Sequence, residues 1–72
     1  MKIIKSGEVI AVMRDDPKDF EGSVRNGNLY VVVGDNDVKL NHYKNPERAK
    51  EICTAVHDAY FKNENVFVLP EE

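Results

Sequence analysis

Cys53 is the only cysteine in the chain, and a lone thiol excludes an intramolecular disulfide. A chain this short without a disulfide framework points to a reducing compartment, so the expected location is cytoplasmic. Glycine is scarce, with four residues scattered among turns, and no Gly-rich phosphate loop can be drawn from them. No apolar run approaches the ~20 residues that a membrane-spanning helix requires. The opening Met1-Lys2-Ile3-Ile4-Lys5-Ser6-Gly7-Glu8 lacks the apolar stretch of a signal peptide. An excess of one charge is missing too: ten Lys and Arg stand against thirteen Asp and Glu, a net charge of −3. That balance is wrong for a nucleic-acid footprint and, without blocks of like charge, too mild for a mimic of DNA. Neither a nucleic acid nor a membrane is expected as partner.

The 72 residues form a single domain, 1–72, with 42% hydrophobic residues, enough for a globular core and too much for disorder. Chains of this size bury only about 60% of the surface that their unfolded form exposes. They commonly lean on metals or self-association when disulfides are missing.

The strongest local pattern is an amphipathic helix at about 46–62. Asn45 is a good N-cap and Pro46 suits the first helical position, where its missing N–H costs nothing. Ala49, Ile52, Cys53, Val56, Ala59 and Tyr60 then recur at spacings of three and four. The remainder reads as strands. Leu29 to Val33 lies between Asn26-Gly27-Asn28 and Gly34-Asp35-Asn36-Asp37, with Val38 to Tyr43 as its hairpin partner. Ser23 to Arg25 pairs with Leu29 to Val33 across the Asn-Gly turn. Ile3-Ile4 and Val9 to Met13 form an opening hairpin around Ser6-Gly7, and Val66 to Leu69 is a short C-terminal strand closed by Pro70. Asp15 to Asp19 is a loop by composition. The expected fold is therefore α+β: a small antiparallel sheet of four to five strands with one helix packed on one face.

That fold carries an imbalance. Leu29, Val31 and Val33 point to one side of their strand, yet Tyr30 and Val32 on the other side are also apolar. Val9 to Met13 and Val66 to Leu69 share the property, whereas a sheet with one wet face alternates apolar and polar residues. One helix covers one face. The second needs the sheet's own hairpin curled over it, a second copy in a homodimer, or a foreign protein. Tyr30, Val32, Ile10, Val12 and Phe67 are the residues assigned to that interaction surface.

Motifs for chemistry are few. Cys53 and His57 lie one helical turn apart, but a structural zinc site needs four ligands and the only other histidine is His42. As a nucleophile and base the pair also fails, because Cys53 lies in the apolar stripe rather than in an exposed electropositive setting. Asp35-Asn36-Asp37 opens like a calcium loop, but the fifth and sixth positions are Lys39 and Leu40, where an oxygen ligand and a glycine are required. The cluster Asp15, Asp16, Asp19 and Glu21 reads as a solvated stretch. No catalytic, cofactor or metal residues are assigned, and the chain is not expected to be an enzyme.

Two C-terminal runs, Leu40-Asn41-His42-Tyr43-Lys44-Asn45-Pro46-Glu47-Arg48-Ala49-Lys50-Glu51-Ile52 and Val66-Phe67-Val68-Leu69-Pro70-Glu71-Glu72, with Ala59-Tyr60 between them, carry a resemblance. They are similar to a strand-helix-strand pattern in small uncharacterised proteins of Firmicutes and their phages and prophages. The matching positions are cap, core and turn residues, so the resemblance implies a fold and no activity. Together these readings lead to a non-catalytic protein-binding accessory or regulatory module, encoded by a phage or mobile element, with inhibition of a bacterial host protein or defence system as one form of that role. The alternative is a small-ligand or nucleotide-binding protein in which Arg25, His42 and Tyr43 converge on a concave site.

Overall fold

The computed structural model of the chain describes residues 1–13, 21–33 and 35–71. The Asp15–Asp19 loop, with most of its acidic cluster, and Gly34 lie outside them; Glu21 is exposed. The order of elements is β1 (Lys2–Lys5), β2 (Glu8–Val12), β3 (Gly22–Arg25), β4 (Asn28–Val33), β5 (Asn36–His42), α1 (Pro46–Phe61) and β6 (Val66–Val68).

Two of the turns are set by backbone handedness. Ser6 and Gly7 have φ of 52° and 80°, and Asn26 and Gly27 have 52° and 79°. Two consecutive left-handed residues are the signature of the two-residue turn that matches strand twist. They fix Lys5 opposite Glu8 and Arg25 opposite Asn28. Gly27 has a second reason to lack a side chain, because a Cβ there would collide with the carbonyl oxygen of Tyr43.

The helix begins where its cap places it. Asn45 is extended, and its side-chain oxygen accepts a hydrogen bond from the Glu47 N–H at 2.9 Å, while Pro46 fills the first turn. It ends on Asn63, whose φ of 60° lets its N–H reach the Tyr60 carbonyl and the next N–H, of Glu64, reach Ala59, a left-handed helix stop. Ala49, Ile52, Val56 and Tyr60 are its buried residues.

The strands do not form the single antiparallel sheet expected from the sequence. They divide into two three-stranded sheets, ordered β2-β1-β6 and β3-β4-β5. After the β3-β4-β5 meander, α1 carries the chain back to the first sheet. There β6 runs parallel to β1, with Lys2 beside Val66, Ile3 beside Phe67 and Ile4 beside Val68. Division resolves half of the imbalance. Met1, Ile3, Ala11 and Met13 from the first part of the chain, Leu29, Val31 and Leu40 from the second sheet, and Ala49, Ile52, Val56 and Tyr60 from α1 belong to one buried cluster. Each sheet thus turns its inner face to a shared core, and the helix packs against β3 and β4.

Two polar ties close the ends, one buried and one part-buried. The Met1 amino group donates to the Met13 carbonyl at 2.7 Å. The Tyr43 hydroxyl, on a residue 1% exposed, donates to the Pro70 carbonyl at 2.7 Å and pins the segment after β6. None of the described helices is long and apolar enough to cross a membrane.

Candidate functional site

Each sheet keeps an outer face, and the two differ in chemistry. On β3-β4-β5 the cross-strand partners of the outward residues are polar: Ser23 and Lys39 flank Tyr30, Asp37 stands opposite Val32, and Arg25 and His42 flank Asn28. The Arg25 guanidinium lies over the Tyr30 ring, 4.1 Å from its centroid, and reaches Asp37 at 3.3 Å. His42 Nδ1 sits 2.7 Å from Asn28 Oδ1. Tyr30 and Val32 are half-buried, so this face solves its apolar residues internally, with a cation stacked on the ring and charged neighbours around it.

The outer face of β2-β1-β6 is bare by comparison. Register places Val12, Lys2 and Val66 in one row across the three strands, and Val9, Ile4 and Val68 in the next. Val9 is 53% exposed, Val12 55%, Val66 45% and Val68 63%. These are four of the five large hydrophobic residues that are exposed among the described residues; the fifth, Phe61, lies on the helix. Scattered apolar residues on a surface need no explanation, but a contiguous patch does.

Of the five residues assigned to an interaction surface, the structure brings only Val12 to this face. Ile10 and Phe67 are partly buried against the core, and Tyr30 and Val32 belong to the other sheet. For Ile10 the cause is a β-bulge. Ile3 pairs with Ala11 while Ile4 pairs with Val9, leaving Ile10 as the extra residue. A bulge resets the alternation, so Val9 and Val12, three apart, share the outward side. Val66 and Val68 were missed for a simpler reason: in an alternating apolar strand, nothing local marks which side is outward.

A groove of about 580 Å³ opens where α1 passes the start of β3, lined by Ser23, Val32, Asp37, Cys53, Thr54 and His57 with Glu21 and Gly22. Burial raises the Cys53 thiol above its ordinary pKa, which keeps it protonated rather than nucleophilic. His57 Nδ1 lies 3.7 Å from Asp58, and its ring packs 4.5 Å from Phe61. Among the described residues, no three His, Cys, Asp or Glu side chains are grouped to hold a metal ion. Arg25, His42 and Tyr43 do not line the groove and do not converge elsewhere: Arg25 lies on Tyr30, His42 on Asn28, and Tyr43 is buried against Pro70.

The class defined by these features is a small α+β protein whose most distinctive surface is an exposed valine face on a mixed three-stranded sheet. No family model, curated protein or solved structure matches the chain.

Proposed function

We propose that the protein is a non-catalytic protein-binding module that acts through the outer face of β2-β1-β6. The observation that carries this reading is the double row of Val9, Val12, Val66 and Val68, each roughly half exposed. Desolvating such a face is favourable by about 25 cal/mol per Å² of apolar area, and proteins that leave one open usually cover it with another protein. A cytoplasmic accessory or regulatory role, with phage or mobile-element origin and inhibition of a host protein or defence system as one form of it, is part of the proposal. Its origin rests on the resemblance in Leu40–Ile52 and Val66–Glu72.

The experiment is site-specific photo-cross-linking in the producing cell. A photoreactive residue at Val68 should trap a protein, either another copy or a cellular one. The same residue at Ala55, exposed on the helix, should trap little. Equal yields from the two positions would sink the reading.

The groove beside α1 favours the alternative of a small-ligand protein. Its carboxylates, Glu21 and Asp37, oppose the phosphates of a nucleotide and leave neutral or cationic ligands as the form of that alternative compatible with its charge.

A further inference from the structure

We infer that Asn26 is a site of self-modification: within the folded hairpin turn the backbone nitrogen of Gly27 attacks the Asn26 side chain, and the succinimide formed there opens to isoaspartate. The site lies apart from the valine face and does not depend on what covers that face.

Sequence confines the chemistry to one place. Asn26 is the one asparagine of the chain followed by glycine. After the others comes either a side chain that crowds the backbone nitrogen or Pro46, which has no N–H to lose. Asn26 is exposed, and neither its side chain nor the Gly27 N–H is hydrogen-bonded among the described residues. Asn63 is the contrast. Its φ of 60° is as left-handed as the 52° of Asn26, yet the nitrogen after it, that of Glu64, donates to the Ala59 carbonyl at 3.0 Å and is held in the helix stop.

Backbone geometry carries the step. Closing a five-membered ring between Asn26 Cγ and the Gly27 nitrogen eclipses Cβ with that nitrogen about the Cα–C bond. For an L-residue this sets ψ at about −120°, the value at the first central residue of a type II′ turn. The turn as it stands has φ positive at both central residues, which is type I′, where that ψ is about +30°. Both types keep φ positive at Asn26, and both join paired strands. Passing from one to the other rotates only the planar peptide between Asn26 and Gly27, at the tip of the turn. The Cα of Gly27, packed against the Tyr43 carbonyl, stays in place with its own carbonyl. The bond from the Tyr43 N–H at 2.8 Å and the Arg25–Asn28 pair therefore survive. Ring closure needs no unfolding.

The bonds balance. The Gly27 nitrogen joins Asn26 Cγ, the Cγ–Nδ2 bond breaks, and the Gly27 proton leaves with Nδ2 as ammonia. Water then opens the ring. Attack at Cγ yields aspartate, whereas attack at the main-chain carbonyl yields isoaspartate, whose chain runs through Cβ and Cγ. Either product adds one negative charge to the net −3. Isoaspartate also lengthens the turn by one backbone carbon and disturbs the Arg25–Asn28 register.

The test is incubation of the full chain at mildly alkaline pH, folded and in urea, followed by peptide mapping with electron-transfer fragmentation, which tells isoaspartate from aspartate. Position 26 should gain about one mass unit, with isoaspartate among the products, at least about tenfold faster than Asn63, whose neighbour is not glycine. The folded chain should react within about tenfold of the rate in urea, because the peptide flip leaves the strands paired. Asn26→Gln, which would need a larger ring, should remove the early mass gain. A folded chain that reacts more than about tenfold more slowly than the unfolded one does so only by opening and overturns the inference. A gain that falls on other asparagines, or that persists in Asn26→Gln, overturns it as well.

Discussion

Gly7 and Gly27 occupy equivalent places in two hairpin turns with nearly the same backbone, φ of 80° and 79°, yet they face different surroundings. Nothing lies within 4 Å of a Cβ built on Gly7, whereas one on Gly27 meets the Tyr43 carbonyl and the His42 ring. Gly7→Ala should therefore cost only the left-handed backbone penalty, about 1 kcal/mol. Gly27→Ala should cost at least about twice that, since the β5 end must also move. Urea midpoints of the two variants give the comparison, and equal losses would contradict the close approach at Tyr43. Cys53 offers a second residue-scale prediction, because its burial raises the thiol pKa. At mildly alkaline pH it should react with an aromatic disulfide reagent more slowly than free cysteine, and unfolding in urea should remove the difference. The sign for stability follows from linkage. The folded thiol holds its proton more tightly, so its contribution is complete below the unfolded thiol's pKa and declines as pH rises through the folded one. Cys53→Ala should abolish that decline.

Elements were the most legible level. The helix starts at Pro46, as its cap dictates, and ends at Phe61, one residue short of the expected limit. Both two-residue hairpins fall where Ser6-Gly7 and Asn26-Gly27 place them, because left-handed turn residues are local signals. The face of each strand was less legible. The bulge at Ile10 and a second one at Leu40, which separates the Leu29–Asn41 pair from the Tyr30–Lys39 pair, depend on the partner strand and leave no mark in their own sequence. Thus Ile10 was assigned outward and Val9 was not. The Asn45 cap gives the element-scale prediction: Asn45→Ala removes the acceptor for the Glu47 N–H and should cost about 1 kcal/mol. An unchanged thermal midpoint would mean that Pro46 alone defines the start.

At the scale of the whole molecule, hydrophobic spacing and turn signals indicated an α+β domain, and the two-faced apolar strands indicated that one helix was not enough cover. The solution adopted, two sheets sharing a core, was not legible. It turns on where β6 docks, a choice made by tertiary packing rather than by the Val66–Val68 sequence. That docking has a temporal consequence. Lys2 and Val66 lie at opposite ends of the element order, yet they are neighbours in one sheet. Local pairings such as the β1-β2 hairpin can form early, but the far edge of β1 waits for its parallel mate until β3, β4, β5 and α1 have all been made. Long-range parallel pairing is slow to form, and an unmatched strand edge invites aggregation. The folding chain is therefore most exposed to misassembly in the interval before β6 docks beside β1.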